Sequence, residues 1–230
     1  MACKLLTPST VARIPRKLLV ADGTVNHCTW RSHNFSHSLA SPAAKQRFLD
    51  LLAEHKDAHG IEIYSYSIMD SHPHVQSRSR FGQRAFSRFW QIVNYRFARW
   101  HNKINAARGQ VVMDRMSSGQ VEDSDHQLAV MRYGDLNPVR AGLVKSPNRW
   151  RWSSYRHYAF GEKDRLLTDA PAYLALGDTP ADRRKAYIHL FARALSETLR
   201  VRRVDLVIAP FIGTPAWVES KMSAAACPPS

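Results

Sequence analysis

The alternation of apolar and polar positions predicts a strand, a helix and a second strand near the start of the chain. The stretch VNHCTWR at 25–31 combines β-branched and aromatic residues with a loose alternation that favours a strand. A helix is predicted from Ser41 to Gly60, because Ser41 can cap it, Pro42 suits the first helical position, and apolar residues then recur at helical spacing. IEIYSYSIM at 61–69 alternates apolar and small polar residues, which predicts the second strand.

The middle of the chain predicts a third strand followed by a long helix. IMDSHPHV at 68–75 leads through a turn at Asp70 and Ser71 into that strand. The helix is expected from about Gln83 to Ala107, since large apolar residues recur there at steps of three and four, namely Phe86, Phe89, Val93, Phe97, Trp100 and Ile104. A weaker pattern at 109–121 predicts a last strand.

Another helix should open at 123–125 and end near Asn137, because a proline disfavours helical geometry in the residue before it. Pro138 would then start a separate short helix, PVRAGL, capped by Asn137. Beyond Gly161 the chain looks helical and basic, and the tail from about Val204 is poorly patterned and is expected to end in a disordered AAACPPS.

This order of elements predicts an α+β fold, a split βαβ antiparallel sheet with helices on one face and a helical C-terminal extension. The predicted parts are a basic N-terminal arm at 1–23, a main domain at 24–161 and a basic extension at 162–230.

The charge of the chain favours nucleic acid as its partner. Lys and Arg total 33 against 19 Asp and Glu, a formal charge of +14. A membrane partner is not expected, because no apolar run approaches the roughly 18 residues that a spanning helix needs. The three cysteines are scattered and lack metal-binding spacing, and no signal peptide is recognised. Both observations favour a reducing, cytoplasmic location.

Two pairs of residues are candidates for chemistry. His72 and His74 flank Pro73, and side chains two apart on a strand share one face, so two imidazoles could hold one metal ion. Tyr133 and Asn137 are four apart on a predicted helix and could close over the same site. Alternatively, the histidines only hydrogen-bond their neighbours, Tyr133 is a core residue and Asn137 is a helix cap.

IMDSHPHV, RYGDLNPVRAGLV and WRWSSYRHY, in this order and with the long helix between the first two, resemble the REP-associated branch of the single-tyrosine HUH transposases. The resemblance covers roughly 24–161. It implies a ferredoxin-like sheet with the histidines on a central strand. It also implies that His72, His74 and Asn137 ligate a divalent ion, Mg²⁺ or Mn²⁺, and that Tyr133 is the nucleophile.

The activity that the resemblance implies is that of a metal-dependent single-stranded DNA endonuclease and strand-transferase on hairpin, repetitive palindromic DNA, acting through a 5′-phosphotyrosine intermediate. No small-molecule substrate is expected, and the protein would be a monomer or a homodimer. The candidate DNA contacts are Arg84, Arg88, Arg96, Arg99, Arg149, Arg151, Trp152, Tyr155 and Arg156. For Trp152 and Tyr155, packing against the core is an equal alternative.

The chain departs from the family pattern around the histidines. Pro73 stands where a bulky apolar residue is usual, Asp70 and Ser71 replace a Pro-Asn pair, and polar residues follow Val75. These changes predict a weakened strand, and with it a second hypothesis, a catalytically degenerate protein that only binds hairpin DNA. RNA binding, which rests on charge, aromatic content and sheet topology alone, is a third hypothesis.

Overall fold

The computed structural model describes residues 14–192, 206 and 209–226. Most of the predicted N-terminal arm lies outside this range. The strands are β1 (Val25–Thr29), β2 (Ile61–Ile68), β3 (Pro73–Ser79), β4 (Ser117–Val121) and β5 (Phe211–Ile212). The helices are α1 (Arg16–Leu19), α2 (Pro42–Lys56), α3 (Gly82–Ile104), α4 (Ser124–Arg140), α5 (Tyr155–Phe160), α6 (Pro171–Leu174), α7 (Pro180–Ala192) and α8 (Pro215–Ala226).

The strands form one five-stranded sheet in the order β2-β3-β1-β4-β5. The first four are antiparallel to their neighbours, and β5 runs parallel to β4. Helices α2 and α3 connect β1 to β2 and β3 to β4, and in each case a third strand lies between the two that are connected. This is the split βαβ arrangement, so the predicted α+β, ferredoxin-like fold class is confirmed.

Helices α2 and α3 pack on one face of the sheet, as the sequence predicts. The Ser41 hydroxyl caps α2 by accepting a hydrogen bond from the Ala44 amide at 3.1 Å. The rings of Trp30, Phe48 and Phe97 meet in the core, with Phe48 and Phe97 centroids 5.5 Å apart. The predicted apolar stripe of α3 is buried up to Phe97, but Ile104, the last residue of the helix, is 53% exposed.

Helix α4 lies on the other face. Along β3, Val75 joins the core beneath α2 and α3, whereas the neighbouring Gln76 side chain donates a hydrogen bond to the Gln127 carbonyl of α4 at 3.0 Å. Because successive side chains of a strand point to opposite faces, these contacts place α4 across the sheet from α2 and α3. The expectation that the helices lie on one face of the sheet therefore holds for α2 and α3 but not for α4. The sheet is a middle layer between α2 and α3 on one side and α4 on the other.

Helix α4 passes through Pro138 without a break. The expected end near Asn137 and the separate PVRAGL helix are wrong, since the helix continues to Arg140 and the Ala141 amide still bonds to the Asn137 carbonyl at 2.9 Å. Pro138 lies in the last turn, so its missing N–H removes a single helical bond. Burial of α4, including Leu136 and Pro138 itself, outweighs that loss.

The C-terminal segment is part of the core. Tyr173, Tyr187 and Phe191 pack against Tyr64 and Tyr158, with Tyr158 and Tyr187 ring centroids 5.3 Å apart. The poorly patterned tail contains the strand β5 and the helix α8. The expected disorder of AAACPPS is therefore wrong for residues 224–226, which lie in α8, and residues 227–230 lie outside the described residues.

None of the helices in the described part of the chain has the length and apolar content that a membrane-spanning helix requires.

Candidate active site

His74 is the second residue of the strand β3, which lies between β2 and β1, and His72 immediately precedes the strand. Their ring centroids are 4.9 Å apart with planes at 79°. Pro73 is the first residue of β3, a position where a strand tolerates proline. Beyond His74 the strand continues to Ser79, paired with β1 and β2 on either side, so the polar residues that follow Val75 do not interrupt it.

Tyr133 contacts His74 because α4 approaches the sheet closely at Gly134. A Cβ atom at Gly134 would lie 3.8 Å from the Ser67 Cβ and 3.9 Å from the His74 Cβ. The Tyr133 and His74 ring centroids are 5.7 Å apart with planes at 80°, an edge-to-face contact. Both side chains are buried, with 6% and 3% of their surface exposed.

Arg140 joins this group, and the sequence reasoning missed it. Its guanidinium carbon lies 3.9 Å from the centre of the Tyr133 ring. Its Nη2 donates to the Asn137 Oδ1 at 2.6 Å and to the Tyr133 carbonyl. Burial lowers the Arg140 pKa, the nearby phenol of Tyr133 acts to raise it, and Arg132 lowers it further. Spacings of three and seven residues from Asn137 and Tyr133 place Arg140 on their face of α4, which is the signal that could have identified it.

His27 is the second residue that the sequence reasoning missed. Its Nε2 lies 3.0 Å from the His74 Nδ1, and its Nδ1 lies 2.7 Å from the Leu206 carbonyl oxygen. Burial lowers the His27 pKa to about 4 and holds the His74 pKa well below its usual value, so both imidazoles are neutral near pH 7. The alternation in VNHCTWR puts His27 on the face opposite Cys28, but only the pairing of β1 with β3 brings it to His74.

The donor atoms at this site fit a divalent cation. The His74 Nε2 is buried and, within the described part of the chain, has no hydrogen-bond partner. A neutral imidazole nitrogen is a good metal ligand. The His72 ring is adjacent and its Nδ1 lies 3.0 Å from the Ser71 Oγ. Asn137 could supply an amide oxygen, which here accepts the hydrogen bond from Arg140.

A second group with metal-ligating atoms lies at the start of α4 and consists of Glu122, Asp123 and His126, whose ligand atoms are within 4.8 Å of one another. Two of these side chains already have a structural role. The Asp123 carboxylate caps α4 by accepting from the His126 amide at 2.9 Å, and the Glu122 carboxylate accepts hydrogen bonds from Thr214.

The predicted DNA contacts fall into two separate regions. The exposed ones on α3 are Arg84, Arg88, Arg96 and Arg99. Because α3 and His74 lie on opposite faces of the sheet, these arginines are across the sheet from Tyr133. Tyr95, on the same helix, is 60% exposed and lies 3.5 Å from an Arg99 nitrogen.

The second region follows α4 along the edge of β2, where the Ile68 amide bonds to the Trp152 carbonyl at 2.9 Å. Arg149, Arg151 and Arg156 are exposed there. Trp152 and Tyr155 are buried, with 9% and 6% of their surface exposed, and pack in the hydrophobic core, which leaves little of either ring accessible to bases.

No protein-family model matches this sequence, and no curated protein matches it. Among solved structures, the fold is similar to that of a REP-associated tyrosine transposase bound to a REP hairpin, with a TM-score of 0.52 and 19% sequence identity. The matched region covers 71% of this chain and 96% of that protein. At this identity the similarity shows the fold.

Proposed function

We propose that this chain is a metal-dependent endonuclease and strand-transferase that cuts hairpin-bearing single-stranded DNA through a covalent phosphotyrosine intermediate. The observation that carries the proposal is the contact of Tyr133 with both His74 and Arg140, at 5.7 Å and 3.9 Å between the group centres. A phenol, a cation and an imidazole nitrogen that has no hydrogen-bond partner among the described residues thereby meet in one buried site.

In the proposed reaction the Tyr133 oxygen attacks the scissile phosphorus. A bond forms between that oxygen and phosphorus, the bond from phosphorus to the 3′ oxygen breaks, and the released 3′ oxygen gains a proton while the phenol loses one. The 5′-phosphotyrosine keeps the ester bond, so a 3′-hydroxyl of another strand can reverse the step without ATP. A phenol is a weak nucleophile, with an unperturbed pKa of about 10.

Arg140 would stabilise the charge that develops in this step. Its guanidinium lies over the ring that becomes negatively charged, and Arg132 is close enough to influence its pKa. No ion pair joins Arg132 or Arg140 to a carboxylate within residues 14–192. Neither cation therefore has an acidic partner in this part of the chain, and both can contact a phosphodiester.

His72, His74 and Asn137 would hold the divalent ion, for which the imidazoles favour Mn²⁺ over Mg²⁺. A bound ion would supply polarisation of the scissile phosphate. For Asn137 to contribute, its Oδ1 would exchange the hydrogen bond from Arg140 for the ion.

Hairpin DNA is the proposed substrate for two reasons. The similar solved structure is of a transposase bound to a REP hairpin. The net charge of +14, together with exposed arginines on α3 and beside β2, suits a polyanion.

Incubation of the protein with Mn²⁺ and labelled hairpin oligonucleotides carrying single-stranded flanks tests this proposal. The wild type should form an adduct that survives denaturing electrophoresis, and Tyr133→Phe should form none. Tyr95→Phe, which alters an exposed tyrosine on the far face of the sheet, should behave as wild type. An adduct that persists in Tyr133→Phe would contradict the assignment of the nucleophile.

A hairpin-binding protein without cleavage is the second candidate, and the hydrogen bond from Arg140 to Asn137 favours it, since it engages the proposed third ligand. Salt-sensitive hairpin binding with no cleavage in Mg²⁺, Mn²⁺ or Co²⁺ would support this candidate. Equal affinity for RNA and DNA hairpins would instead support an RNA-binding protein.

A further inference from the structure

We infer that His27 is a positioning residue that holds His74 in the tautomer whose Nε2 lone pair is available to a divalent cation. This inference builds on the proposed metal site and concerns a residue outside the proposed ligand set.

A chain of hydrogen bonds runs from Leu206 through His27 to His74. The Leu206 carbonyl oxygen lies 2.7 Å from the His27 Nδ1, and the His27 Nε2 lies 3.0 Å from the His74 Nδ1. Both distances are those of good hydrogen bonds. The chain ends at the His74 Nε2, a buried atom that has no partner among the described residues.

The Leu206 carbonyl determines which atom is the donor in each of these hydrogen bonds. A backbone carbonyl can only accept, so the His27 Nδ1 must carry a proton and donate it. In a neutral imidazole the other nitrogen is then an acceptor, so the His27 Nε2 accepts from an N–H at the His74 Nδ1. The His74 Nε2 therefore keeps its lone pair. The assignment applies to the neutral form, which an imidazole with an ordinary pKa of about 6.5 adopts at the pH of about 7.5 used in the test below.

The relative orientation of the two rings is consistent with this assignment. Their centroids are 5.1 Å apart and their planes differ by 13°. With 3.0 Å between the facing nitrogens, these values place both nitrogens near the line that joins the centroids. The rings are edge to edge, and the hydrogen bond lies close to the plane of each ring, where the nitrogen lone pair points.

The fold explains how a carbonyl from residue 206 reaches β1. His27 pairs with Gly119 across β1 and β4. A Cβ at Gly119 would lie 2.5 Å from the Ala209 carbonyl oxygen, so the missing side chain leaves room for the C-terminal segment to cross the sheet. Leu206 packs there with Val121, Val130 and Tyr133.

Metal-ligating histidines commonly donate their second ring N–H to a carboxylate, a carbonyl or water, and loss of that partner typically costs about 10–100-fold in metal affinity. His27 would provide this support without adding a negative charge. A neutral partner suits a site that must also accept a phosphodiester, because a carboxylate at this position would repel it.

The direct test is to measure the His74 tautomer by nitrogen-15 NMR on the full-length, metal-free protein near pH 7.5. The expected result is a proton on Nδ1 and none on Nε2. In His27→Phe the acceptor is lost, and we expect a mixture of tautomers and Mn²⁺ binding weaker by about 10–100-fold in titrations followed by electron paramagnetic resonance.

His27→Gln is the matched variant, because its amide N–H can donate to the Leu206 carbonyl while its amide oxygen accepts from the His74 Nδ1–H. Its Mn²⁺ affinity should remain within a few-fold of wild type. A merely structural role for the ring would not produce this rescue together with a restored tautomer. If His27→Phe does not fold, the wild-type tautomer and the His27→Gln affinity still decide the question.

A proton on the His74 Nε2 in the metal-free wild type would overturn the inference, as would Mn²⁺ affinity in a folded His27→Phe equal to that of wild type. These readouts do not require DNA cleavage. Absence of a Tyr133 adduct in a protein with the expected tautomer and Mn²⁺ affinity would therefore count against the proposed function alone.

Discussion

The guanidinium carbon of Arg140 lies 3.9 Å from the centre of the Tyr133 ring, and the same side chain donates to the Asn137 Oδ1 at 2.6 Å. The proposed nucleophile and the proposed third metal ligand thus share one cation. Because positions 133, 137 and 140 lie on one face of α4, which is continuous through Pro138, a break at Asn137 would have separated them.

Removal of the Arg140 charge should slow formation of the Tyr133 adduct. For Arg140→Gln we expect a loss of about 10²–10³-fold in the single-turnover rate, the range seen when one donor to a developing charge is removed. Arg140→Lys keeps the charge but loses the planar guanidinium that lies over the Tyr133 ring, so its rate should fall between those of wild type and Arg140→Gln. Arg47→Gln, at a half-buried position on α2 paired with Glu54 at 2.7 Å, is the control. An Arg140→Gln rate equal to wild type would exclude this role.

Asp135 should make the protein less stable as the pH rises. Burial raises the pKa of this carboxyl from 3.8 to about 7, although the Tyr187 hydroxyl donates to it at 2.7 Å. Between these values the folded form keeps its proton and the unfolded form does not, so the free energy of unfolding falls as the pH rises from about 4 to about 7. A shift of this size corresponds to a loss on the order of 4 kcal/mol.

The uncharged variant Asp135→Asn should not show this loss, since its amide oxygen can still accept from Tyr187. Urea unfolding of both proteins at about pH 5 and about pH 8 measures the free energy of unfolding. We expect Asp135→Asn to be more stable than wild type, by a larger margin at the higher pH. Asp125→Asn, an exposed change in the same helix, should follow the wild-type pH dependence. Parallel pH profiles for wild type and Asp135→Asn would show that Asp135 ionises normally.

Arginines on the exposed face of α3 should contribute to DNA affinity and not to the chemical step. If Arg88 and Arg99 each contact a phosphate of the hairpin, each change to glutamine should reduce the slope of log K against log salt by about 0.7–0.9. The adduct rate at saturating DNA should stay unchanged, because α3 and His74 are on opposite faces of the sheet. Fluorescence anisotropy across a salt series measures the slope. An unchanged slope in both variants would show that these arginines do not contact phosphates of the hairpin and that the exposed face of α3 is solvated surface.

A side chain at Gly119 should displace the C-terminal segment. The Cβ of Gly119→Val would meet the Ala209 carbonyl oxygen at 2.5 Å and the Ile212 Cδ1 at 3.2 Å. We expect a destabilisation of about 1–3 kcal/mol, as for overpacked positions in general, and weaker Mn²⁺ binding through the loss of the Leu206 contact to His27. Gly134→Ala is the control, since its Cβ would find ordinary contacts at 3.8 and 3.9 Å. Urea unfolding and Mn²⁺ titration of both variants test this, and a stable Gly119→Val with wild-type Mn²⁺ affinity would contradict it.

The sequence by itself determined the elements whose patterns are local. The alternation at 61–69 and the apolar repeat from Phe86 to Phe97 predicted β2 and α3, and the order of the elements predicted the class of fold. The strand expected to be weakened after His74 continues to Ser79, because β3 is paired on both sides and a central strand tolerates polar residues whose side chains find partners. The register shift in its pairing with β2, between Ile63 and Ser65, does not end the strand.

Tertiary structure alone decided the rest of the site. His27 reaches His74 only through the pairing of β1 with β3, and it reaches Leu206 only because Gly119 leaves room for a segment that is distant in sequence. Pro138 locally predicts a helix break, yet the helix continues, because burial of α4 stabilises it by more than the one backbone hydrogen bond lost at Pro138 costs. Such contacts depend on packing between distant segments, and packing leaves no periodicity in the sequence from which it could be predicted.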